Sequence, residues 1–213
     1  WFEPPAPDLQ ESCFCPACVA EFNQATGLDV TAPALILEQH AAAWTAHKCE
    51  RVAGYAARYA QIIREALPGC TIGAYMCPWT PDEYEGALSR FFAQDYGLLA
   101  PSIDIFTPLI YAHKSGRPPE WGRQFLERAP AFVPSDRHVQ LILDVLDYPE
   151  SLLAAASSAR PSWGIQLFGG ALVFGDAEQA RVFAEAVERI RRRTSDEGRV
   201  TTDDRRFESI RSS

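Results

Sequence analysis

The chain has 213 residues, of which 47% are hydrophobic and 23% charged, a composition typical of a globular domain of ordinary size. Its net charge of −8 argues against a protein that wraps the phosphate backbone of a nucleic acid. The apolar runs are shorter than the roughly 20 residues that a membrane helix needs, so the sequence predicts no membrane partner either. We expect a soluble protein, with a slight preference for the cytoplasm.

The N-terminal third is predicted to be irregular at first and then helical. Residues 1–15 are rich in proline, and Pro16–Thr26 is predicted to form a short helix that Gly27 stops. An alanine-rich stretch over residues 33–67 favours one long helix or two consecutive helices, because alanine has the highest helix propensity.

From residue 70 onward, predicted strands and helices alternate. The predicted strands are Cys70–Cys77, Ile103–Tyr111, His138–Asp144 and Trp163–Phe168. The predicted helices are Pro81–Tyr96, Pro118–Arg128, Pro149–Ser158 and Asp176–Arg193. Strand–helix alternation implies parallel pairing and therefore an α/β fold. Residues 194–213 form a polar tail that is predicted to be disordered.

The number of strand–helix units bears on the architecture. Four such units are half of the eight that close a (β/α) TIM barrel, and an open doubly wound sheet is the alternative. No glycine-rich phosphate loop follows a predicted strand, and residues 13–67 resemble the connection after an earlier strand. The sequence therefore favours the second half of a TIM barrel over residues 1–193, with a Cys-rich loop at 13–18. Its expected partner is the upstream half-barrel of the same protein.

The alternation of side chains along His138–Asp144 predicts which residues face the barrel interior. Gln140 and Asp144 share one face, and burying them against helices would leave polar groups unsatisfied. We therefore expect both to point inward, with Asp144 at the C-terminal end of its strand, where barrel enzymes keep catalytic groups. The apolar residues expected to face the helices are Val139, Leu141 and Leu143.

Carboxylates and aromatic rings are predicted to gather at the mouth of the barrel. Asp144 and Asp147 are the candidate carboxylates, although Asp147 also stands where a helix cap would be. A carboxylate pair among rings that can stack on sugar faces suits the chemistry of glycosidic bonds. The candidate substrate-binding residues are Tyr75, Trp79, Tyr111, His113, Trp121, Gln140 and Gln166.

Two segments carry a resemblance to a known group of enzymes. The run CFCPAC at residues 13–18, followed by Glu21-Phe22 and Thr26-Gly27, resembles the CxCxxC segment of family 42 β-galactosidases and related barrel glycosidases. The segment TPLIYAHKSGRPPEW resembles the sixth-strand region of hypothetical glycosidases of the same clan. The resemblance implies a glycoside hydrolase that acts on a carbohydrate substrate and needs no cofactor for catalysis.

The resemblance also implies a structural zinc. Cys13, Cys15 and Cys18 match the spacing of three zinc ligands, and a tetrahedral site needs a fourth. Cys49 is the nearby internal candidate, and a ligand outside this chain is the other. The plain alternative is three reduced cysteines that hold no metal.

The catalytic residues follow from the resemblance less directly. Glu3 stands near the position of the family's acid/base but is followed by Pro4-Pro5, which departs from the family's pattern. Asp144, or else Asp147, would stand in for the nucleophile, which is a glutamate in the family. Three functions stay open on these residues: glycoside hydrolysis, carbohydrate binding without catalysis, and an inactive fragment.

Overall fold

The chain folds into two compact units of an α/β protein. The computed structural model describes residues 11–160 and 162–210, with side chains up to residue 193. Unit 1 comprises Trp1–Ile105 and Phe132–Arg137, and unit 2 comprises Phe106–Ala131 and His138–Ser213. The described residues include a five-stranded sheet, and strand pairs in unit 2 are parallel. The predicted α/β class is therefore confirmed.

Unit 1 is mostly helical. Its elements are α1 (Pro16–Thr26), α2 (Pro33–Gln39), α3 (Ala41–Ala66), β1 (Gly73–Met76), a 3-10 turn (Glu83–Glu85), α4 (Ala87–Phe92) and α5 (Tyr96–Leu99). Helix α1 has the predicted bounds, because proline suits the first helical position and Gly27 adopts a left-handed φ of 72° just after the end. The predicted alanine-rich stretch is divided at His40 into two helices.

One predicted helix of unit 1 is broken. The stretch Pro81–Tyr96 contains a 3-10 turn and α4 and reaches only the start of α5, instead of forming one helix. Positive φ angles at Tyr84, Glu85 and Ala93 interrupt it, since a continuing right-handed helix needs negative φ at every residue. The segment therefore consists of a 3-10 turn and short helices instead of one continuous helix.

The N-terminal helices of unit 1 enclose a small aromatic core. Phe22 and Ile36 are fully buried, and Trp44 of α3 is almost so. The side chain of Asn23 fixes the following loop: its amide nitrogen donates to the Val30 carbonyl at 2.9 Å, and its oxygen accepts from the Val30 N–H at 3.2 Å. This packing holds α1 against the start of α3.

Unit 2 alternates strands and helices. Its elements are β2 (Ile105–Ile110), α6 (Trp121–Arg128), a 3-10 turn (Ala129–Ala131), β3 (His138–Val139), β4 (Leu141–Asp144), a 3-10 turn (Val145–Asp147), α7 (Glu150–Ala156), β5 (Ile165–Phe168), α8 (Ala171–Phe174) and α9 (Ala177–Ile210). The predicted strand His138–Asp144 is divided at Gln140, whose N–H donates to the Phe106 carbonyl at 2.9 Å.

Parallel pairing brings the strand ends of unit 2 together. Strand β4 lies between β2 and β5, with Ile142 opposite both Leu109 and Gln166 and with Asp144 opposite Phe168. The ends of β4 and β5 therefore lie side by side, at the edge of the sheet where a strand-end carboxylate meets its neighbours.

The face of β4 that carries Leu141 and Leu143 packs on α6, as predicted. A Cβ atom added at Gly122 would lie 3.2 Å from Leu141 and 3.8 Å from Leu143, so both leucines face this helix closely. The opposite face of the strand carries Ile142 and Asp144, both of which are buried.

The C-terminal helix is longer than predicted. Helix α9 continues to Ile210, through most of the tail expected to be disordered, and residues 194–210 contain no proline that would end it. Among the residues that the structure describes, none of the helices combines the length and the hydropathy needed to span a bilayer.

Candidate functional site

Three cysteines gather at the start of α1 in unit 1. Cys15 is the residue that precedes the helix, and Cys18 lies in its first turn. The sulfur atoms of Cys13, Cys15 and Cys18 all lie within 4.8 Å of one another. Cys13 and Cys15 are exposed and Cys18 is half-buried, so the cluster can be reached from solvent.

The thiols of this cluster differ in acidity. The backbone N–H of Cys18, and then its thiol, interact with the Cys15 sulfur and lower the pKa of Cys15 to about 7. The same contact between the two thiols, together with burial, raises the pKa of Cys18 to about 11. Cys15 is therefore the sulfur of this pair that ionises first, as expected at a helix N-terminus.

The surroundings of the cysteines are aromatic and charged. Phe14, between two of the cysteines, stacks on Trp44 with ring centroids 4.9 Å apart. A cleft of about 320 Å³ opens beside Cys13 and Cys18, and its lining includes Lys48 and Arg51. The cysteine cluster thus lies beside the packed rings of Phe14 and Trp44 and borders the cleft.

Cys49 does not join the cluster. It is buried in α3, where its thiol donates to the Ser89 carbonyl at 3.8 Å. No other cysteine, histidine or carboxylate among the described residues belongs to the group of three sulfurs. Cys49, the internal candidate for the fourth ligand, is therefore not part of the cluster, and a ligand outside this chain stays the alternative.

Asp144 lies at the end of β4 in unit 2, as predicted. Its side chain is buried, with the residue only 2% exposed. One carboxylate oxygen accepts from the Leu146 N–H at 2.9 Å, and the other is paired with the Lys114 ammonium at 2.6 Å. Asp144 therefore both caps the turn that follows the strand and carries an ion pair.

Asp147 is a second buried carboxylate in the same turn. Its Oδ1 accepts from the His113 N–H at 2.6 Å, while its Oδ2 is buried without a hydrogen-bond partner among the described residues. Burial raises the pKa of Asp147 above its ordinary value of 3.8, and the charge of Asp144 adds to this. The two carboxylates thus sit in different environments.

Lys114 links Asp144 to two aromatic rings. Its ammonium lies 5.0 Å from the ring centre of Tyr111 and 5.3 Å from that of Phe168, which is a cation–π geometry. The Phe168 side chain is 54% exposed and offers a ring face beside the ion pair. Lys114 was not among the predicted site residues, because no periodic pattern in the sequence links it to Asp144. Its signal was its place in the segment TPLIYAHKSGRPPEW, next to His113.

The other predicted residues of unit 2 are divided between the site and the core. Gln166 donates to the Gln140 side-chain oxygen at 2.8 Å, so the two amides share a face as expected. His113 is exposed, and Tyr111 is buried beneath Phe168 at a centroid distance of 5.7 Å. Trp121 differs from the expected rim position, because it is buried with the Arg117 guanidinium over its ring.

The remaining predicted residues belong to unit 1. Tyr75 is exposed on β1. Trp79 is fully buried between Tyr84 and Phe92, so its ring packs on protein rather than facing a ligand as expected. Glu3 lies outside the described residues.

Comparisons with known proteins found no relative of this chain. No family model matches the chain, and neither the curated proteins nor the solved structures include a significant match. Function is therefore inferred from the residues themselves.

The environment of Asp147 predicts a pH dependence of stability. Because folding raises the pKa of this carboxyl, its contribution to stability is complete below about pH 4 and is lost as pH rises through the raised pKa. We expect Asp147→Asn to remove a slope of at most about 1.4 kcal/mol per pH unit from the free energy of unfolding. Urea unfolding between pH 4 and pH 8 measures this, and the exposed Glu150→Gln serves as control. An unchanged slope in Asp147→Asn would contradict the prediction.

Proposed function

We propose that the chain is the second half of a (β/α) barrel of the glycoside-hydrolase kind and that Asp144 and Asp147 act on a glycosidic bond. The observation that carries the proposal is the pair of buried carboxylates at the end of β4 in unlike environments. One is ion-paired with Lys114, and the other is held by burial at a raised pKa. Two carboxyl groups whose environments differ in this way can divide the roles of acid and base.

The two roles follow from the surroundings of each group. Asp147 keeps its proton to higher pH than an ordinary aspartate and has a buried oxygen without a partner, so it suits the acid that protonates the leaving oxygen. Asp144, ion-paired with Lys114, suits the carboxylate that attacks the sugar or activates a water molecule. The bond from the anomeric carbon to the leaving oxygen breaks as that oxygen takes the proton from Asp147.

The neighbouring side chains offer contacts for a sugar. Phe168 presents an exposed ring, and sugar faces stack on such rings. His113 is exposed one residue before Lys114, and Gln140 and Gln166 carry amides that can bind hydroxyl groups. In the proposal, the upstream half-barrel of the same protein completes the mouth.

The test is turnover of a panel of aryl glycosides by the chain, both alone and joined to the upstream half-barrel that the proposal requires. Release of the phenol above the rate of the heat-denatured chain supports hydrolysis, and proton NMR of the first product identifies retention or inversion. No release from any glycoside, together with no binding of the corresponding free sugars, would rule out the proposal for this chain.

A second candidate function is carbohydrate binding without catalysis. It is favoured by the hydrogen bonds that Asp144 and Asp147 each accept from a backbone N–H, since a carboxylate that fastens a loop is less free to react. Calorimetric binding of a sugar without any turnover, weakened by Phe168→Ala but not by Leu172→Ala, would select this alternative. Leu172 is a suitable control because its side chain is also exposed.

We also propose that Cys13, Cys15 and Cys18 hold a structural zinc ion. Tetrahedral zinc with sulfur ligands at about 2.3 Å places the sulfurs about 3.8 Å apart, and the observed cluster needs little adjustment to reach that spacing. The fourth position falls to water or to a ligand outside the described residues. Zinc there would tie the loop before α1 to the first turn of the helix.

Metal analysis tests the zinc proposal. We expect about one zinc per chain after purification with zinc, and much less in Cys15→Ser, because removing one of three thiolates leaves too few ligands. Cys70→Ser is the matched control, since Cys70 is exposed and lies outside the cluster. Equal metal content in Cys15→Ser and the wild type would contradict the assignment.

A further inference from the structure

The second and third cysteines of the cluster form a C-x-x-C arrangement at a helix N-terminus. Cys15 immediately precedes α1, and Cys18 follows three residues later in the first turn, where residues three apart are neighbours on a helix surface. Their sulfurs lie within 4.8 Å of each other. A bond between the two sulfurs therefore needs only a small closing movement.

The exposure of the two residues gives them different roles. Cys15 is exposed and can be reached by a small molecule, whereas Cys18 is half-buried behind it. The cleft of about 320 Å³ beside Cys18 leaves room for a small reactant near the pair. This is the usual order of an attacking and a resolving cysteine in C-x-x-C sites.

We propose that Cys15 and Cys18 are a dithiol site that exchanges with low-molecular-weight disulfides. The Cys15 thiolate attacks one sulfur of the small disulfide, forms a mixed disulfide and expels one small thiol. The Cys18 thiol then loses its proton and attacks the Cys15 sulfur, which expels the second small thiol. The protein dithiol is oxidised by two electrons, and the small disulfide is reduced to two thiols.

Cys13 is the less suitable partner for Cys15. The Cys15 N–H donates to the Cys13 sulfur at 3.4 Å, so that sulfur already accepts a backbone hydrogen bond. Phe14, which lies between the two cysteines, is stacked on Trp44 and restrains the loop. The site therefore assigns the disulfide to Cys15 and Cys18, with Cys13 left as a thiol.

The disulfide and the proposed zinc exclude each other. A Cys15–Cys18 bond removes two of the three sulfur ligands, so oxidation would release a bound ion. The exchange itself does not depend on zinc, and a chelator in the assay separates the two proposals.

The experiment is titration of the full chain with mixtures of oxidised and reduced glutathione in the presence of EDTA, followed by alkylation and mass spectrometry. We expect the wild type to lose two alkylatable thiols and two hydrogen atoms of mass without retaining glutathione. Cys70→Ser should behave in the same way, and Cys13→Ser should still form the internal disulfide. Cys18→Ser should instead accumulate a glutathione adduct, because the resolving thiol is absent.

Two results would overturn the assignment. One is a wild type that collects only glutathione adducts or linked dimers, with no internal disulfide. The other is loss of the internal disulfide in Cys13→Ser with its retention in Cys18→Ser. Circular dichroism of each variant checks that the chain is folded. Because the exchange is measured with EDTA present, a failure to bind zinc in the metal analysis does not affect the disulfide assignment.

Discussion

Replacing Asp147 by asparagine is expected to slow the hydrolysis of aryl glycosides with poor leaving groups by about 10²–10⁴-fold, the usual contribution of a positioned general acid. An asparagine cannot donate the proton that a poor leaving oxygen needs. A dinitrophenyl leaving group departs without a proton, so the same variant should hydrolyse that substrate at nearly the rate of the wild type. Steady-state kcat/KM across a series of leaving groups measures the difference.

Asp144→Asn gives the complementary result. The carboxylate that attacks or activates water is needed whatever the leaving group, so this variant should lose activity toward both kinds of substrate. Glu150→Gln, in the exposed first turn of α7, should match the wild type throughout. A uniform loss in Asp147→Asn would assign it a positioning role rather than that of the acid.

The pH profile separates an acid from a residue that only supports the loop. If Asp147 donates the proton, activity toward poor leaving groups falls on the basic side as its raised pKa is passed. Asp147→Asn should lack this basic limb. A basic limb that persists in the variant would show that another group supplies the proton.

Local signals predicted the fold best where a special residue fixes an end. Helix α1 begins and ends at the predicted residues. Pro16 suits the first helical position, and Gly27 readily adopts the left-handed backbone conformation that follows the last helical residue. The interruption of Pro81–Tyr96 was not predictable in this way. Tyr84 and Ala93 adopt positive φ there, although neither residue type favours it, and tertiary packing decides such angles.

Side-chain alternation along a strand predicted part of the candidate site, namely which side chains of the strand share a face. Alternation along β4 correctly separated Leu141 and Leu143, which face α6, from Asp144 at the strand end. It could not show that Lys114 pairs with Asp144, because the two residues are 30 positions apart and meet only through the fold. The sequence does not distinguish an exposed aromatic ring after a strand from a buried one, and the ring of Trp79 is buried.

Truncating Trp44 to alanine is expected to lower the free energy of unfolding by about 3–5 kcal/mol, the range for a buried aromatic residue. The ring is 1% exposed, stacks on Phe14 at 4.9 Å and meets Phe22 edge-on at 5.1 Å. Because Phe14 lies between Cys13 and Cys15, losing its stacking partner should also loosen the cysteine cluster. We therefore expect weaker zinc binding as well as lower stability in Trp44→Ala.

Tyr59→Ala is the matched control for this prediction, because it removes an aromatic ring from the same helix at a residue that is 66% exposed. It should change stability by no more than about 0.5 kcal/mol and leave the zinc content unchanged. Chemical unfolding and metal analysis of the two variants give both quantities. If Trp44→Ala loses stability but holds zinc as tightly as Tyr59→Ala, the cysteine loop keeps its shape without the Phe14–Trp44 stack. The prediction that the core of unit 1 is coupled to the proposed zinc site would then be wrong.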